Sequence, residues 1–309
     1  MTLTIAIPSY NKEKYIERCI KSVLVDKAYI DEIILIDNCS TDRTFELAKK
    51  FEPEIKCVKN EHNLGMSGNF NRCIDLCKTD WLMIFHADDE LIPGSIRHYL
   101  DFFKKYPSVG IAHANFFYIK NGNLDSKIYA KTDDKEIRKA GSDAMNWPKG
   151  YACSTVMVRK SAYDNLGYYI EESLSSDVEM FVRISNKYDK GHLDVPTAIV
   201  HLNSDSTGRN SLVNREPEEV EADWKSLGDK ILTYHSEEAR ESARKEGING
   251  MINGLIIVAT TNIKAGQYKK ALKAIRIIIF KYHGFFKLFK SFFEFLRHRV
   301  KTRLTGKYE

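Results

Sequence analysis

The hydrophobic and polar pattern of the first 90 residues alternates short apolar runs with amphipathic stretches. Residues 3–8 are mostly apolar and residues 33–36 entirely so, which is typical of strands covered on both faces. Apolar positions at 15–24 follow helical spacing. Residues 56–59 and 81–85 predict two further strands, each leading into a helix. Strands and helices alternating at this length predict a right-handed, doubly wound, mainly parallel α/β sheet whose ligand site lies at the carboxyl ends of its strands.

The pattern changes after Pro107. Short alternating stretches at 110–119 and 154–158 predict antiparallel strands added to the sheet. The polar segment 122–146 has no clear periodicity and predicts a mobile loop.

A C-terminal helical appendage is predicted from residue 217 onward. Three successive stretches have helical periodicity: 218–234, 236–264 and 267–282. We therefore expect two domains, one over 1–214 and a helical region over 215–309.

Composition and charge sharpen this picture. The chain has 309 residues, of which 43% are hydrophobic and 29% charged, as in a folded globular protein. Its net charge of +5 is unevenly distributed, because residues 264–309 hold thirteen Lys or Arg against two acids, while the first 263 residues carry −6. This excludes a uniformly basic protein that coats nucleic acid and indicates a localised partner surface at the C-terminus.

The sequence pattern of the basic C-terminal segment predicts an amphipathic helix. Apolar and basic side chains alternate at helical spacing, the apolar ones being Phe285, Leu288, Phe289, Phe292, Phe293, Leu296 and Val300. Such a helix suits an anionic membrane surface. Alternatively, the phenylalanines pack on the body or on a second subunit in a homo-oligomer. No groove-reading motif accompanies the charge, so we expect no nucleic-acid partner.

The N-terminal sequence and the cysteine pattern predict a cytosolic protein. The N-terminus lacks the basic start and long apolar core of a secretory signal, and no apolar window reaches the length of a spanning helix. The six cysteines include no Cys-x-x-Cys pair, which favours reduced thiols. We expect a cytoplasmic protein, peripheral on the cytosolic face of a membrane.

Four polar turns should converge at one sheet edge, at 9–11, 37–42, 86–90 and 175–179. Asp88 and Asp89 follow an apolar run, and hard divalent ions favour one or two carboxylates plus phosphate oxygens. The alternative is that both acids cap the helix after Pro93.

These segments resemble glycosyltransferase family 2, whose members are inverting enzymes of GT-A fold. The resemblance covers about residues 3–205 and rests on four ordered motifs: IAIPSYNKEKYIERCIKSVL, EIILIDNCSTD, NLGMSGNFNRCI and DWLMIFHADDEL. Two later stretches are also similar, namely GYACSTVMVRKSAYDNLGYY and SSDVEMFVRIS. The resemblance implies a metal-assisted inverting glycosyltransferase that uses a nucleotide-sugar donor.

The resemblance also implies roles for individual residues. The expected nucleotide-binding residues are Pro8, Ser9, Tyr10, Asp37, Asn69 and Asp88. Asp37 would accept a hydrogen bond from the base, in many relatives a uracil, which implies a UDP donor. Asp88 would hold Mn²⁺ or Mg²⁺ against the donor's two phosphates. His201 would be a second metal ligand, although a single His is often structural.

Three positions depart from the commoner family pattern. His86 stands in place of the first acid of the Asp-x-Asp motif, Asn38 replaces a frequent second Asp, and Phe70 stands where many relatives have an Arg. Without that Arg, neutralisation of the phosphates would rest more on the metal.

Asp177 is the candidate general base, because an inverting transfer needs one carboxylate beside the acceptor hydroxyl. Glu179 would point elsewhere if Val178 and its neighbours pack inward. The alternative role of Asp177 is a helix N-cap. Trp147, Gly150 and Tyr151 could form an acceptor wall, although core packing would equally explain Trp147.

The sequence thus predicts a glycosyltransferase, of the hexosyl or N-acetylhexosaminyl class, that acts on a glycan or lipid-linked acceptor in surface-polysaccharide synthesis. One alternative is a catalytically inactive scaffold that binds nucleotide sugars. Another is a nucleotidyltransferase, which the absence of a glycine-rich phosphate loop after the first strand disfavours.

Overall fold

The computed structural model describes residues 1–120, 122–129, 136–141, 151–170, 173, 175–202 and 214–283. Two compact units divide the chain: one is Met1–Glu172 with Ser176–Leu202, the other Ser173–Ser175 with Asn203–Glu309. The domain boundary predicted after residue 214 stays a prediction, because residues 203–213 lie outside the described residues.

Unit one is built on a single mixed sheet. Its strands within the described residues are β1 Leu3–Ser9, β2 Glu32–Asp37, β3 Lys56–Lys59, β4 Trp81–Ile84, β5 Glu90–Leu91, β6 Val109–Lys120, β7 Asn123–Tyr129, β8 Ile137–Arg138, β9 Val156–Arg159 and β10 Asp189–Leu202. Its helices are α1 Ile16–Leu24, α2 Thr44–Lys49, α3 Gly65–Leu76, α4 Ser95–Lys105, α5 Lys160–Leu166 and α6 Ser176–Ser185.

Unit two is helical in its described residues. The helices are α7 Pro217–Leu232, α8 Glu237–Lys264 and α9 Tyr268–Arg276, which continues into a π-helical turn at Ile277–Lys281. A capping box and a proline at the first helical position fix the start of α7, because they satisfy amides left free at a helix N-terminus. Val220, Val258 and Ala274 form a buried contact among the three helices.

The strand order is β3-β2-β1-β4-β9-β6-β10-β5, with β7 beside β6 and β8 beside β10. The first four strands are parallel to one another. β9 then runs antiparallel between β4 and β6. The predicted doubly wound, mainly parallel sheet with C-terminal helices is confirmed.

Alternate side chains of the central strands enter opposite cores, as the two-residue period of a strand requires. Leu3, Ile5 and Ile7 of β1 pack with α1 and α4 on one face. Ala6 joins the core against Phe70 on the other face. Because both faces are covered, the polar ends of β1, β2 and β4 are where a sheet of this kind takes up a ligand.

One sequence prediction needs correction. Part of the supposed loop 122–146 is strand, since β7 pairs with β6 and β8 with β10; pairing with a long neighbour overrides the weak local pattern. The antiparallel strands predicted at 110–119 and 154–158 are confirmed, because β6 pairs antiparallel with β7 and β9. On its other edge β6 is parallel to β10, a strand that the sequence pattern did not predict. The basic segment at 285–301 lies outside the described residues.

Candidate active site

Strand ends β1 and β2 place two acceptor groups side by side, in register at Ser9 and Asp37. The Asp37 side chain is fully buried, and its Oδ2 accepts a hydrogen bond from the backbone amide of Ser40 at 3.0 Å. Within the described residues, Asp37 Oδ1 and Ser9 Oγ are buried without a hydrogen-bond partner. Buried polar groups are rarely left so, and the two unsatisfied oxygens therefore mark this strand end as a candidate ligand site. The Lys59 ammonium is 3.8 Å from Asp37 Oδ2. Pro8 is half-buried and Tyr10 exposed beside them.

The loops after β1 and β2 brace each other. The Asn11 amide donates to Ser40 Oγ at 2.9 Å, and Asn11 Oδ1 accepts from the Thr41 amide at 2.9 Å. The Lys12 amide donates to Thr44 Oγ1 at 2.6 Å. This bracing places the Lys12 ammonium 2.7 Å from Asp88 Oδ2, so a fixed cation stands at the acidic strand end.

The turn after β4 gathers His86, Asp88 and Asp89, whose potential ligand atoms all lie within 4.8 Å of one another. Burial alone would raise the pKa of Asp88, but the Lys12 ammonium lowers it below its usual value. Burial and the neighbouring Asp88 raise the pKa of Asp89. Asp88 is thus held ionised, as a cation ligand must be.

Asp89 and His201 are joined by the backbone. The His201 amide donates to Asp89 Oδ1 at 3.0 Å, while Ser154 Oγ donates to Asp89 Oδ2 at 2.5 Å. His201 Nε2 lies 2.6 Å from Glu90 Oε1, and Glu90 also pairs with Arg18 at 3.1 Å. His201 is therefore close to the acidic turn but has a carboxylate partner of its own; its role as a metal ligand stays a prediction.

Four asparagines form an amide network beside the end of β2. Asn38 Nδ2 donates to Asn63 Oδ1 at 2.8 Å and to the Gly65 carbonyl at 3.0 Å. Asn60 Nδ2 donates to Asn38 Oδ1 at 3.0 Å and to Asn69 Oδ1 at 2.9 Å. Asn69 Nδ2 in turn donates to the Ile36 carbonyl of β2 at 3.2 Å. The network fixes the start of α3 against β2, and Asn69 stands within it.

Asp177 lies half-buried in the first turn of α6, which begins at Ser176. Burial raises the pKa of Asp177, while the Val178 amide, the His86 imidazole and the Tyr151 hydroxyl lower it in part. A raised carboxyl pKa suits proton acceptance near neutral pH. The Ser176 and Ser67 hydroxyls are 2.7 Å apart and buried, which ties the start of α6 to α3.

Glu179, the competing acid, is fully buried and pairs with Arg183 at 2.9 Å. Val178, Phe181 and Val182 are buried as predicted. Because Arg183 also donates to the Leu166 and Tyr168 carbonyls, this ion pair joins α6 to the end of α5. Glu179 is therefore a structural acid, which leaves Asp177 as the carboxylate beside Tyr151.

Two departures from the family pattern touch each other. The rings of Phe70 and His86 stack with centroids 5.9 Å apart and an interplanar angle of 17°. Tyr169 packs edge-on against the other side of Phe70 at 5.5 Å. An aromatic pair thus occupies the place where the commoner pattern would put an acid and an arginine.

The fold brings most predicted site residues to one edge, but not all can be placed. Trp147 and Gly150 lie outside the described residues. Sequence reasoning missed Lys12 and Ser154. Lys12 could have been suspected as a cation just past the first strand end, whereas no local signal marks Ser154, which reaches Asp89 only through β9.

The donor set at 86–89 fits a divalent cation. It combines carboxylate oxygens with an imidazole, and His86 Nε2 is buried without a hydrogen bond in the described part of the chain. Oxygen and imidazole ligands together suit Mn²⁺ and its neighbours, and carboxylates alone suit Mg²⁺.

A family comparison agrees with this geometry. The model of "Glycosyl transferase family 2" matches residues 4–167, just over half of the chain. The match includes the three strand ends that carry Ser9, Asp37 and Asp88. It ends before α6 and Asp177.

Individual relatives are distant. Chondroitin synthase of Escherichia coli is 26% identical over 59% of this chain. The E. coli enzyme UDP-Glc:alpha-D-GlcNAc-diphosphoundecaprenol beta-1,3-glucosyltransferase WfaP is 24% identical, with 60% of this chain and 70% of its own length aligned. The chain spans 26% of the length of chondroitin synthase and 35% of another curated relative.

A solved structure supports the fold. TarS of S. aureus, residues 1–349, crystallised in complex with UDP-GlcNAc, superposes with a TM-score of 0.65 at 16% identity. The alignment covers 90% of this chain and 91% of that one. The GT-A architecture expected from the sequence is thereby confirmed.

Proposed function

Because the chain belongs to glycosyl transferase family 2, we propose that it transfers a sugar from a UDP-linked donor to a glycan or lipid-linked acceptor, with inversion at the anomeric carbon. The observation that carries the proposal is the meeting, within unit one, of free acceptor atoms at Asp37 and Ser9 with the acidic turn at 86–89. Asp177 supplies the proton acceptor.

Uracil is the base that suits Asp37. The unpartnered Oδ1 is a buried acceptor, and uracil presents one ring N–H donor between two carbonyls. Leaving either the donor or the acceptor unpaired in this site would cost about 1–3 kcal/mol, which favours a base with a matching N–H. The UDP-GlcNAc bound to TarS and the UDP-Glc in the name of WfaP support the same donor class.

The diphosphate would lie over the turn at 86–89. Asp88, with Asp89 beside it, would hold a divalent metal there, with His201 as a further candidate ligand, and the metal would supply neutralisation of the charge that develops on the departing diphosphate. The Lys12 ammonium is 2.7 Å from Asp88 Oδ2. When the donor binds, this ammonium would shift to a phosphate oxygen. Arg18, whose guanidinium donates to the Asp88 carbonyl at 2.9 Å, keeps the turn in place.

Asp177 acts on the acceptor. The acceptor oxygen forms a bond to the anomeric carbon as the bond from that carbon to the diphosphate oxygen breaks, and the hydroxyl proton passes to the Asp177 carboxylate. The Tyr151 hydroxyl is near enough to this carboxylate to lower its pKa in part. Its ring, with Trp147 and Gly150, offers a surface for the acceptor sugar.

The acceptor class points to a membrane surface, as does unit two. Tyr268, Leu272 and Phe280 expose 68%, 50% and 76% of their surface on α9 and the turn that follows. The chain then continues into the basic, phenylalanine-rich sequence at 285–301. No helix among the described residues combines the length and apolar content needed to span a bilayer. We place the protein peripherally on the cytosolic face.

The test is donor turnover. The purified protein is incubated with UDP-, GDP- and dTDP-sugars, with Mn²⁺ or Mg²⁺ and without metal, and the released nucleotide is measured. Release of UDP alone, dependent on metal and acceptor, is the expected result. UDP binding without release or transfer under every condition would instead identify an inactive scaffold, and release of pyrophosphate a nucleotidyltransferase.

Asp88 is tested by binding. Calorimetry with UDP and Mn²⁺ should give metal-dependent affinity for the unaltered chain and none for Asp88→Ala. Full UDP affinity of the wild type without metal would refute the role of the acidic turn.

A further inference from the structure

We propose that His86 is itself a ligand of the divalent ion, together with Asp88 and Asp89, and that it makes the site select Mn²⁺ over Mg²⁺. The proposal rests on the metal-assisted transfer proposed above and goes beyond it. It assigns a ligand at a position where an acid is common, and it predicts which ion the site retains.

The first observation is the spacing of the three side chains. Their potential ligand atoms lie within 4.8 Å of one another, and His86 Nδ1 is 4.0 Å from Asp89 Oδ2. Two ligands of one octahedral ion stand about 3–4 Å apart when each bond is about 2.1 Å. Closing the cluster on an ion therefore needs shifts of less than about 1 Å.

The second observation is that the His86 backbone amide and a neighbouring aromatic ring hold this residue in place. Ser154 Oγ accepts from the His86 amide at 3.1 Å and donates to Asp89 Oδ2 at 2.5 Å, so one hydroxyl sets the spacing of two ligands. Phe70 stacks on the imidazole at 5.9 Å. Such outer partners hold metal ligands ready in known sites.

The third observation is the state of the ring nitrogens. His86 Nε2 is buried, yet neither donates nor accepts a hydrogen bond within the described residues. His201 differs, since its Nε2 is 2.6 Å from Glu90. Of the two histidines, His86 is therefore the one whose Nε2 has no carboxylate partner among the described residues.

Metal preference follows from the donor set. Imidazole binds Mn²⁺ and later transition ions well, whereas Mg²⁺ requires hard oxygen ligands and gives up its waters reluctantly. Replacing a carboxylate by a neutral imidazole also removes one negative charge, which weakens Mg²⁺ binding most because that binding is chiefly electrostatic. An acid at position 86 would reverse both effects.

Three chains test the proposal: wild type, His86→Asp and His86→Phe. The Phe variant keeps an aromatic ring against Phe70 but has no ligand atom, so it separates ligation from stacking. Mn²⁺ affinity is measured by electron paramagnetic resonance with and without UDP, and Mg²⁺ affinity by competition. We expect His86→Phe to weaken Mn²⁺ binding at least about tenfold, and His86→Asp to reduce the Mn²⁺ over Mg²⁺ preference by a similar factor.

A spectroscopic readout identifies the ligand without turnover. Electron spin-echo modulation of bound Mn²⁺ should show coupling to a ¹⁴N nucleus in the wild type and lose it in His86→Phe, with unchanged circular dichroism. Coupling that survives in His86→Phe but disappears in His201→Gln would overturn the proposal in favour of His201. Mn²⁺ bound with no ¹⁴N coupling would also overturn it while leaving metal-assisted transfer intact, and UDP binding indifferent to any metal would reject both.

Discussion

Asp177 and Glu179 show how two acids on one helix turn can serve different ends. Asp177 is half-buried with a pKa raised by burial, whereas Glu179 is fully buried but neutralised by Arg183 at 2.9 Å. Burial therefore favours proton binding by Asp177, whereas Glu179 is engaged in an ion pair. Substituting Asp177 and Glu179 one at a time should therefore separate an effect on catalysis from an effect on stability.

We expect Asp177→Asn to lower kcat by about 10²–10⁴, the range that a general base contributes, with UDP affinity unchanged. A group whose pKa is raised on folding destabilises the fold when ionised, so its neutral isostere should not lower stability. Glu179→Gln is the matched control: it weakens a buried ion pair and should cost about 1–3 kcal/mol of unfolding free energy, with kcat retained. Steady-state kinetics and urea unfolding measure the two effects, and the reverse pattern would reassign the base.

Tyr151→Phe should move the pH profile of transfer. The base must be ionised to accept a proton, so kcat/KM falls as pH drops through the raised pKa of Asp177. The Tyr151 hydroxyl lowers that pKa, and its removal should shift the acid limb to higher pH. A profile of kcat/KM against pH for both chains checks this; an unmoved or downward-shifted limb would contradict the contact.

At the scale of elements, the starts of α3 and α6 set the site. The amide network of Asn38, Asn60, Asn63 and Asn69 joins α3 to β2. The Ser67 and Ser176 hydroxyls then join α3 to α6 at 2.7 Å. The position of Asp177 thus depends on a chain of hydrogen bonds that runs from β2 through α3 to the start of α6.

Restoring the commoner acid at position 38 should therefore destabilise the chain. In Asn38→Asp the carboxylate would face two acceptors, Asn63 Oδ1 and the Gly65 carbonyl, that now receive the Asn38 amide. We expect a loss of about 1–3 kcal/mol in unfolding free energy, because a buried carboxylate would face two acceptors that have lost their donor. The same change at exposed Asn165, whose amide contacts the Tyr188 hydroxyl, should stay within about 0.5 kcal/mol. Urea unfolding of both variants tests this, and equal stability would refute the role of the network.

Sequence reasoning reached those features that local pattern specifies. The apolar runs of β1 and β2 predict buried parallel strands, and with them the strand-end positions of Ser9 and Asp37. It could not reach features that depend on distant partners. The short strands β7 and β8 exist through their pairing with β6 and β10, and Ser154 reaches Asp89 across 65 residues of sequence. The stacking of Phe70 on His86 also depends on residues distant in sequence, although each of the two is by itself a departure from the commoner family pattern.

At the scale of the whole molecule, charge is segregated along the chain. The net charge of +5 combines −6 over the first 263 residues with +11 over residues 264–309. In the described part of unit two, several of these cations are already paired, since Lys273 bonds to Glu216 at 2.6 Å and Lys281 to Glu221 at 2.8 Å. The sequence after residue 283 adds seven further Lys or Arg against two acids.

This uneven charge distribution predicts that the C-terminal residues bind an anionic membrane surface. Removing the residues after Gly284 should abolish most binding to vesicles that contain anionic lipid, because each basic residue near such a surface contributes about 1 kcal/mol. Binding by the intact chain should weaken as salt rises from about 0.1 M toward 1 M, where the screening length falls from about 10 Å to about 3 Å. UDP affinity should be unchanged in both chains, since the proposed donor site lies in unit one.

We expect the exposed apolar residues of α9 and of the π-helical turn after it to give a second, salt-insensitive contribution to vesicle binding. Leu272→Ser with Phe280→Ser should weaken binding of the full chain, because burying these two side chains contributes about 1.5–3 kcal/mol each, without altering its salt dependence. Co-sedimentation with vesicles of graded anionic content measures both contributions. Truncated protein that sediments as well as the intact chain would show that the basic segment packs elsewhere, on the body or on a second copy, and size-exclusion chromatography with light scattering would then distinguish those two partners.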